Sequence, residues 1–250
     1  NPTYGTKEAV GAVSRNTLLD YYKKYYSSKN MVVSVVGNVD EIKEKVSEYF
    51  GDVNSGKTVL RKTIKEPKQL KSKKFVEKRS IQNSYMVLGY KTVSRLEKDS
   101  YVFDVIKGIL GRGQSGWMFN EIRNKRGLAY QVGVMLEHEK DYGYFAVFCG
   151  LDKGKIEEAK KIILEQFRKL EKIDEKVLDE AKTYIEGHYA LIMEDNHEMV
   201  DNLAYYETIK DSKLANTYIK NIKKVSVKDV KRVAKDYLNN NYTLVVIRQK

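Results

Sequence analysis

Hydrophobic residues recur along the chain with two different periods, and the change of period divides it into helices and strands. Ser14 reads as a helix N-cap, and behind it Leu18, Leu19, Tyr22, Tyr25 and Tyr26 repeat at helical spacing. Ser27-Ser28-Lys29-Asn30 breaks that helix. Met31-Val32-Val33-Ser34-Val35-Val36 is a short apolar, β-branched run and predicts a buried strand. Gly37-Asn38-Val39-Asp40 turns into a second helix with Ile42, Val46, Tyr49 and Phe50 on one face, which Gly51 stops. Beyond Asp52 the pattern dissolves into Gly, Ser, Lys, Asn and Pro67, and residues 61–73 are expected to be a linker.

A second unit is predicted over 74–250. Phe75-Val76-Glu77 and Tyr85-Met86-Val87-Leu88-Gly89 read as strands. Asp99 or Ser100 is expected to cap a helix carrying Val102, Val105, Ile106 and Ile109. A glycine-rich turn, Gly111 to Gly116, leads into a short helix through Arg123. Residues 129–137 and 142–149 read as a hairpin turning near Lys140-Asp141. Helices are expected over 156–170, over 175–208 and from Ser226, before a last strand, Tyr242 to Ile247.

The end of the chain echoes its beginning. Val13-Ser14 matches Val225-Ser226, and at the same offset Leu18 meets Val230, Tyr25 meets Tyr237, and Val32–Val36 meets Leu244–Arg248. Cap, helix, polar break and apolar strand recur in order. The expected organisation is therefore the last part of one α/β repeat over 1–60, a linker, and a complete second repeat over 74–250. A lone apolar strand such as 31–36 cannot leave both edges and faces bare. It has to pair with the second unit, with another chain, or with a portion of the protein outside these residues.

Composition adds a soluble, charged surface: 42% hydrophobic, 32% charged, and no run of apolar residues long enough to span a bilayer. The formal charge is +12. Because the lysines alternate with acids, as in Lys155-Ile156-Glu157-Glu158-Ala159-Lys160, they read as a solvated surface, and neither nucleic acid nor membrane is the expected partner. A single cysteine, Cys149, excludes an internal disulfide and reads as a buried, inert thiol.

Metal-ligand spacing is missing from the histidines. His138, His188 and His197 contain no pair four apart. In Glu137-His138-Glu139 the alternation of a strand sends both carboxylates to the face opposite the imidazole. His188 and His197 stand in a polar helical region with Glu186, Glu194 and Glu198. The glycine-rich turn lacks the Gly-Lys-Ser/Thr that ends a phosphate loop, so it is read as close packing or flexibility before a helix.

The segment Phe119-Asn120-Glu121-Ile122-Arg123-Asn124-Lys125-Arg126-Gly127-Leu128-Ala129-Tyr130 resembles the insulinase/pitrilysin family of zinc metallopeptidases. Tyr4-Gly5, Thr17–Tyr22, Asn30-Met31-Val32-Val33 and Val36-Gly37-Asn38-Val39-Asp40 agree with the same family, so the likeness spans essentially the whole chain. It implies an α+β fold of metallopeptidase-like α/β sandwich repeats, each a mostly antiparallel sheet covered by helices. It further implies a first repeat with His-x-x-Glu-His on a helix and a second repeat that supplies an Arg and a Tyr to the substrate. Carried over, Arg123 and Tyr130 are the expected substrate-binding and oxyanion residues. No zinc motif occurs in this sequence. The resemblance thus predicts no metal site here, zinc in the intact protein, and a zinc-binding repeat or catalytic subunit as partner, in a homo- or hetero-dimer. The chain is expected to be the substrate-side part of an endopeptidase acting on peptides, inactive alone. The alternatives are a non-catalytic partner subunit of the same fold and a basic module for an anionic partner. A cytoplasmic location is favoured.

Overall fold

The structure, a computed structural model, describes residues 3–59 and 67–250. The second region is built on a five-stranded sheet of order β1-β5-β2-β4-β3. Its strands are β1 (Lys73–Arg79), β2 (Ser84–Thr92), β3 (Ala129–His138), β4 (Gly143–Leu151) and β5 (Thr243–Gln249). β5, β2, β4 and β3 form antiparallel ladders, and β1 joins the edge in parallel with β5. The long predicted hairpin is β3–β4, and α4 (Asp99–Gly111) lies against it.

Alternation on the strands fixes which face is buried. On β2, Met86, Leu88 and Tyr90 point into the core while Tyr85 and Val87 point out. α4, α5 (Ile156–Lys169) and α9 (Val227–Tyr237) cover the inner face, and α6 (Glu175–Ile192) packs on α4. Phe103, Ile106, Phe145, Ile163 and Phe167 fill the space between sheet and helices and are fully buried. The outer face stays open, with Phe75, Val245 and Val87 in one cross-strand row beside Phe148.

Several boundaries differ from the sequence reading. The helix expected over 175–208 is two, α6 and α7 (Asn196–Ile209), because Asp195 accepts from the His197 N–H and starts a new helix. Neither Asp99 nor Ser100 caps α4: Asp99 lies in its first turn and pairs with Arg232, while the Ser100 hydroxyl donates to the Arg95 carbonyl. β1 begins at Lys73, inside the expected linker, whose residues 61–66 lie outside the described residues.

In the first region, α1 (Lys7–Gly11), α2 (Arg15–Tyr25) and α3 (Ile42–Phe50) form as helices. The buried strand expected at Met31–Val36 does not. The segment is unpaired, and Met31, Val32, Val33 and Val35 are exposed, because no described strand lies beside it. Of residues 3–59 only Ser27 is buried. α2 and α9 nevertheless match. Each has 11 residues, and each is capped by a serine, Ser14 or Ser226, whose hydroxyl accepts from the backbone N–H three residues on.

A polar knot sits behind the β3–β4 hairpin. Arg95 donates to both oxygens of Asp104, at 2.7 and 3.3 Å, with the two side chains only 10% and 12% exposed. Burial works against the Arg95 charge, but Asp104 outweighs it and holds the guanidinium firmly protonated. His138 is buried, with Nδ1 donating to the Val93 carbonyl at 2.9 Å, and Tyr205 donates to the His138 carbonyl. Burial, then Arg95, lowers the His138 pKa.

Removing one partner from a buried pair strands the other charge. Asp104→Asn should therefore cost about 3 kcal/mol or more, and Asp99→Asn, in the more exposed pair with Arg232, below about 1 kcal/mol; urea unfolding measures both. His138 is held neutral in the folded state, so the unfolded chain takes up its proton first. Stability from this residue is complete above about pH 6.5 and declines as pH falls through the lowered folded value. A His138→Asn variant should accordingly close the stability gap to the parent between pH 7.5 and 5.5, approximately; a constant gap would contradict the neutral assignment.

Candidate functional site

Arg123 and Tyr130 lie on different elements and meet. The glycine-rich turn is packed at its start and open at Gly113: a Cβ on Gly111 would stand 2.7 Å from the Val134 Cβ, so the end of α4 rests directly on β3. After a 3-10 turn (Gly113–Ser115) the chain enters a π-helical turn, Phe119–Asn124, marked by the Lys125 N–H donating to the Asn120 carbonyl. Such wide turns are a feature of functional sites. Met118 and Ile122 on its inner side are buried, which leaves Arg123 on the outside. Gly127, at φ +58°, closes the turn, and Leu128 and Ala129 return the chain to the core.

The strand then carries an extra residue. Ala129 pairs with Leu151, Gln131 pairs with Gly150, and Tyr130 falls in the bulge between them. Bulges bend a strand and re-aim a side chain. Here the phenol is 83% exposed beside the outer face of the sheet.

The Arg123 guanidinium carbon lies 5.2 Å from the centre of the Tyr130 ring and 5.0 Å from that of Phe119. Both rings therefore offer their π-systems to one cation. The neighbouring cations are occupied: Lys125 and Arg126 donate to Glu121 at 2.7 and 2.6 Å and, with it, lower the Glu121 pKa. Among the described residues no carboxylate pairs with Arg123, and no partner binds the Tyr130 hydroxyl. The site thus presents a guanidinium and a phenol side by side, each a hydrogen-bond donor. Phe119 was not singled out from the sequence, although its i, i+4 spacing to Arg123 is the signal for such a contact.

The histidines that the sequence reading weighed and set aside as metal ligands are held by other contacts. Glu137 is exposed while His138 is buried, as strand alternation requires. His188 stacks on Tyr184, and His197 faces Asp201 on α7. Among the described residues no group of three or more His, Cys, Asp or Glu side chains could hold a metal ion, and no helix is long and apolar enough to cross a membrane. Cys149 is buried, and burial pushes its thiol up to about 12, consistent with an inert group.

A five-stranded, mostly antiparallel sheet covered by helices is the architecture of a metallopeptidase-like domain. The profile of the family described as "Peptidase M16 inactive domain" matches residues 12–185, and the chain belongs to that family. It is similar to an uncharacterized zinc protease of Bacillus subtilis, 25% identical over 251 residues, covering 98% of this chain and 60% of that protein. A protease of Helicobacter pylori superposes with a TM-score of 0.90 at 25% identity, covering 97% of this chain and 61% of the other. A peptidase M16 inactive domain from Pseudomonas fluorescens shares the fold, with a TM-score of 0.86 at 20% identity over 100% of this chain and 61% of the other. The chain thus spans about 60% of the length of these relatives.

If the Phe119 ring holds the guanidinium in place, Phe119→Leu should cost less than about 1 kcal/mol of stability, the size of an exposed cation–π contact, while loosening Arg123. Relaxation of its 15Nε signal reads the change; an equally rigid guanidinium would remove Phe119 from the site.

Proposed function

We propose that this chain is the substrate-side part of a zinc-dependent endopeptidase, with Arg123 and Tyr130 binding the peptide's backbone at the bond to be cut. The observation that carries this reading is their meeting: a guanidinium with no carboxylate partner among the described residues lies 5.2 Å from an 83% exposed phenol ring, on the rim of an open sheet face. The reading places the division at residues 1–60, 61–73 and 74–250, with the first segment belonging to a repeat whose remainder lies in the part of the relatives that this chain does not match.

Peptide hydrolysis passes through a tetrahedral centre whose former carbonyl oxygen becomes an anion. The guanidinium of Arg123 supplies a full positive charge and the Tyr130 hydroxyl a directional donor, so both interactions strengthen as that charge develops. Lys125 and Arg126 do not compete for the oxygen, because Glu121 engages them. The neighbouring outer face, with Tyr85, Val87 and Phe148 beyond Gln131, offers an apolar wall to an extended peptide. Zinc, held by His-x-x-Glu-His in the other repeat, would supply the activated water.

In the full-length protein, Tyr130→Phe should lower kcat by roughly 10²-fold, the effect of losing one oxyanion donor, and leave the melting temperature unchanged. Unaltered kinetics would defeat the role. The 250-residue chain by itself should neither retain stoichiometric zinc nor cleave a quenched peptide. Turnover by the chain alone would refute the reading, and a full-length protein that binds no zinc would favour a non-catalytic partner subunit.

A further inference from the structure

On the helix side of the sheet, facing away from the outer surface that Tyr130 adjoins, a cleft of about 430 Å³ opens between β1, the end of β5 and the start of α5. Among the described residues five cations line it: Lys74, Lys78, Lys153, Arg248 and Lys250. Among the described residues its one lining side-chain carboxylate is that of Glu157, which is engaged by Lys74 at 3.1 Å and also by Lys160. The other four cations have no ion-pair partner among the described residues.

This arrangement works against folding. Lys78 and Arg248 stand directly opposite in the parallel β1–β5 ladder and share a face, a register in which like charges repel. Lysines on an edge strand do deter pairing with other chains, and that accounts for Lys74 and Lys78. It leaves Arg248, on the inner neighbour of the edge, together with Lys153 of the β4–α5 loop and Lys250. The start of α5 aims at the same space and has no side-chain cap. Its first-turn carboxylates are already held, Glu157 as above and Glu158 by Lys155. The walls are apolar at Val76, Ile156 and Val246. The volume falls within the range of about 300 to 1,000 Å³ that small-molecule sites occupy.

We propose that this cleft binds a small polyanion bearing two or more phosphate or carboxylate groups, which bridges Lys78 and Arg248 and reaches Lys153 and Lys250. The site does not depend on the peptidase reading, since it lies on the other face of the sheet. A ligand of this kind converts the Lys78–Arg248 repulsion into two charge-assisted contacts and ties the edge strand to α5.

Isothermal titration calorimetry of the full-length protein with sodium tripolyphosphate, and separately with citrate, at low ionic strength tests this without any activity assay. Saturable one-site binding is expected for at least one probe, and the probe that binds tells phosphate from carboxylate recognition. Lys78→Gln combined with Arg248→Gln should weaken it about tenfold or more, as loss of charge-assisted contacts requires. Lys228→Gln combined with Lys235→Gln, which removes the same charge from α9, should not. With no probe added, the first double variant should melt no lower than the parent, because its only loss is a repulsion. Lys153→Gln, in a loop, gives the same reading without touching the sheet. Absence of saturable binding by both probes, or equal weakening by the α9 control, would overturn the proposal.

Discussion

The site depends on one anchoring arrangement: Ile122, Leu128 and Ala129 are buried in the helix–sheet core, while the residues between and beside them are not. Burial of Ile122 and Leu128, each worth roughly 1.5 to 3 kcal/mol, and of the Ala129 methyl, worth about 0.8 kcal/mol, fixes both ends of the segment that carries Arg123 and Tyr130. Rigidity at the rim is thus borrowed from the core. Catalytic geometries tolerate errors of only about half an ångström, and an exposed loop would not hold a guanidinium and a phenol in register. The tight contact of Gly111 on Val134 serves the same end, since it locks α4 to β3 just before the chain leaves for the π-helical turn.

Much of this was legible in the sequence. The strands β2, β3 and β4 were read from the sequence, and the segment Phe119–Tyr130 singled out Arg123 and Tyr130, whose side chains lie side by side. What was not legible has a common cause. The bulge at Tyr130 and the width of the turn at Phe119–Asn124 are backbone irregularities that leave no periodic trace. The break at Asp195 was hidden because residues on both sides keep helical spacing, and only the cap reveals it. Met31–Val36 shows the opposite failure. Its composition is that of a core strand, but composition states a preference for burial and cannot supply the neighbour that provides it.

The contrast between the two regions follows from the same rule. α2 and α9 have equal length and equivalent serine caps, yet α9 buries Val230, Val233 and Ala234 against the sheet while α2 buries nothing among the described residues. Local signals are enough to start and stop a helix of this length. They are not enough to seat it, because in water a helix of about 11 residues is marginal without a packed face. Tyr21, Tyr22, Tyr26 and Leu18 are therefore the side chains most in need of a surface to cover them.

The bulge between Ala129 and Gln131 separates two requirements that a regular strand would couple. Upstream of it, the phase of the chain is dictated by the inward Ala129; downstream, it is dictated by Gly133 beneath the Phe148 ring and by the inward His138. The inserted tyrosine obeys neither. Its aim can change through small dihedral adjustments at one position without reversing the parity of the eight residues that follow, so the rim can be retuned over evolutionary time while the sheet behind it keeps its registry.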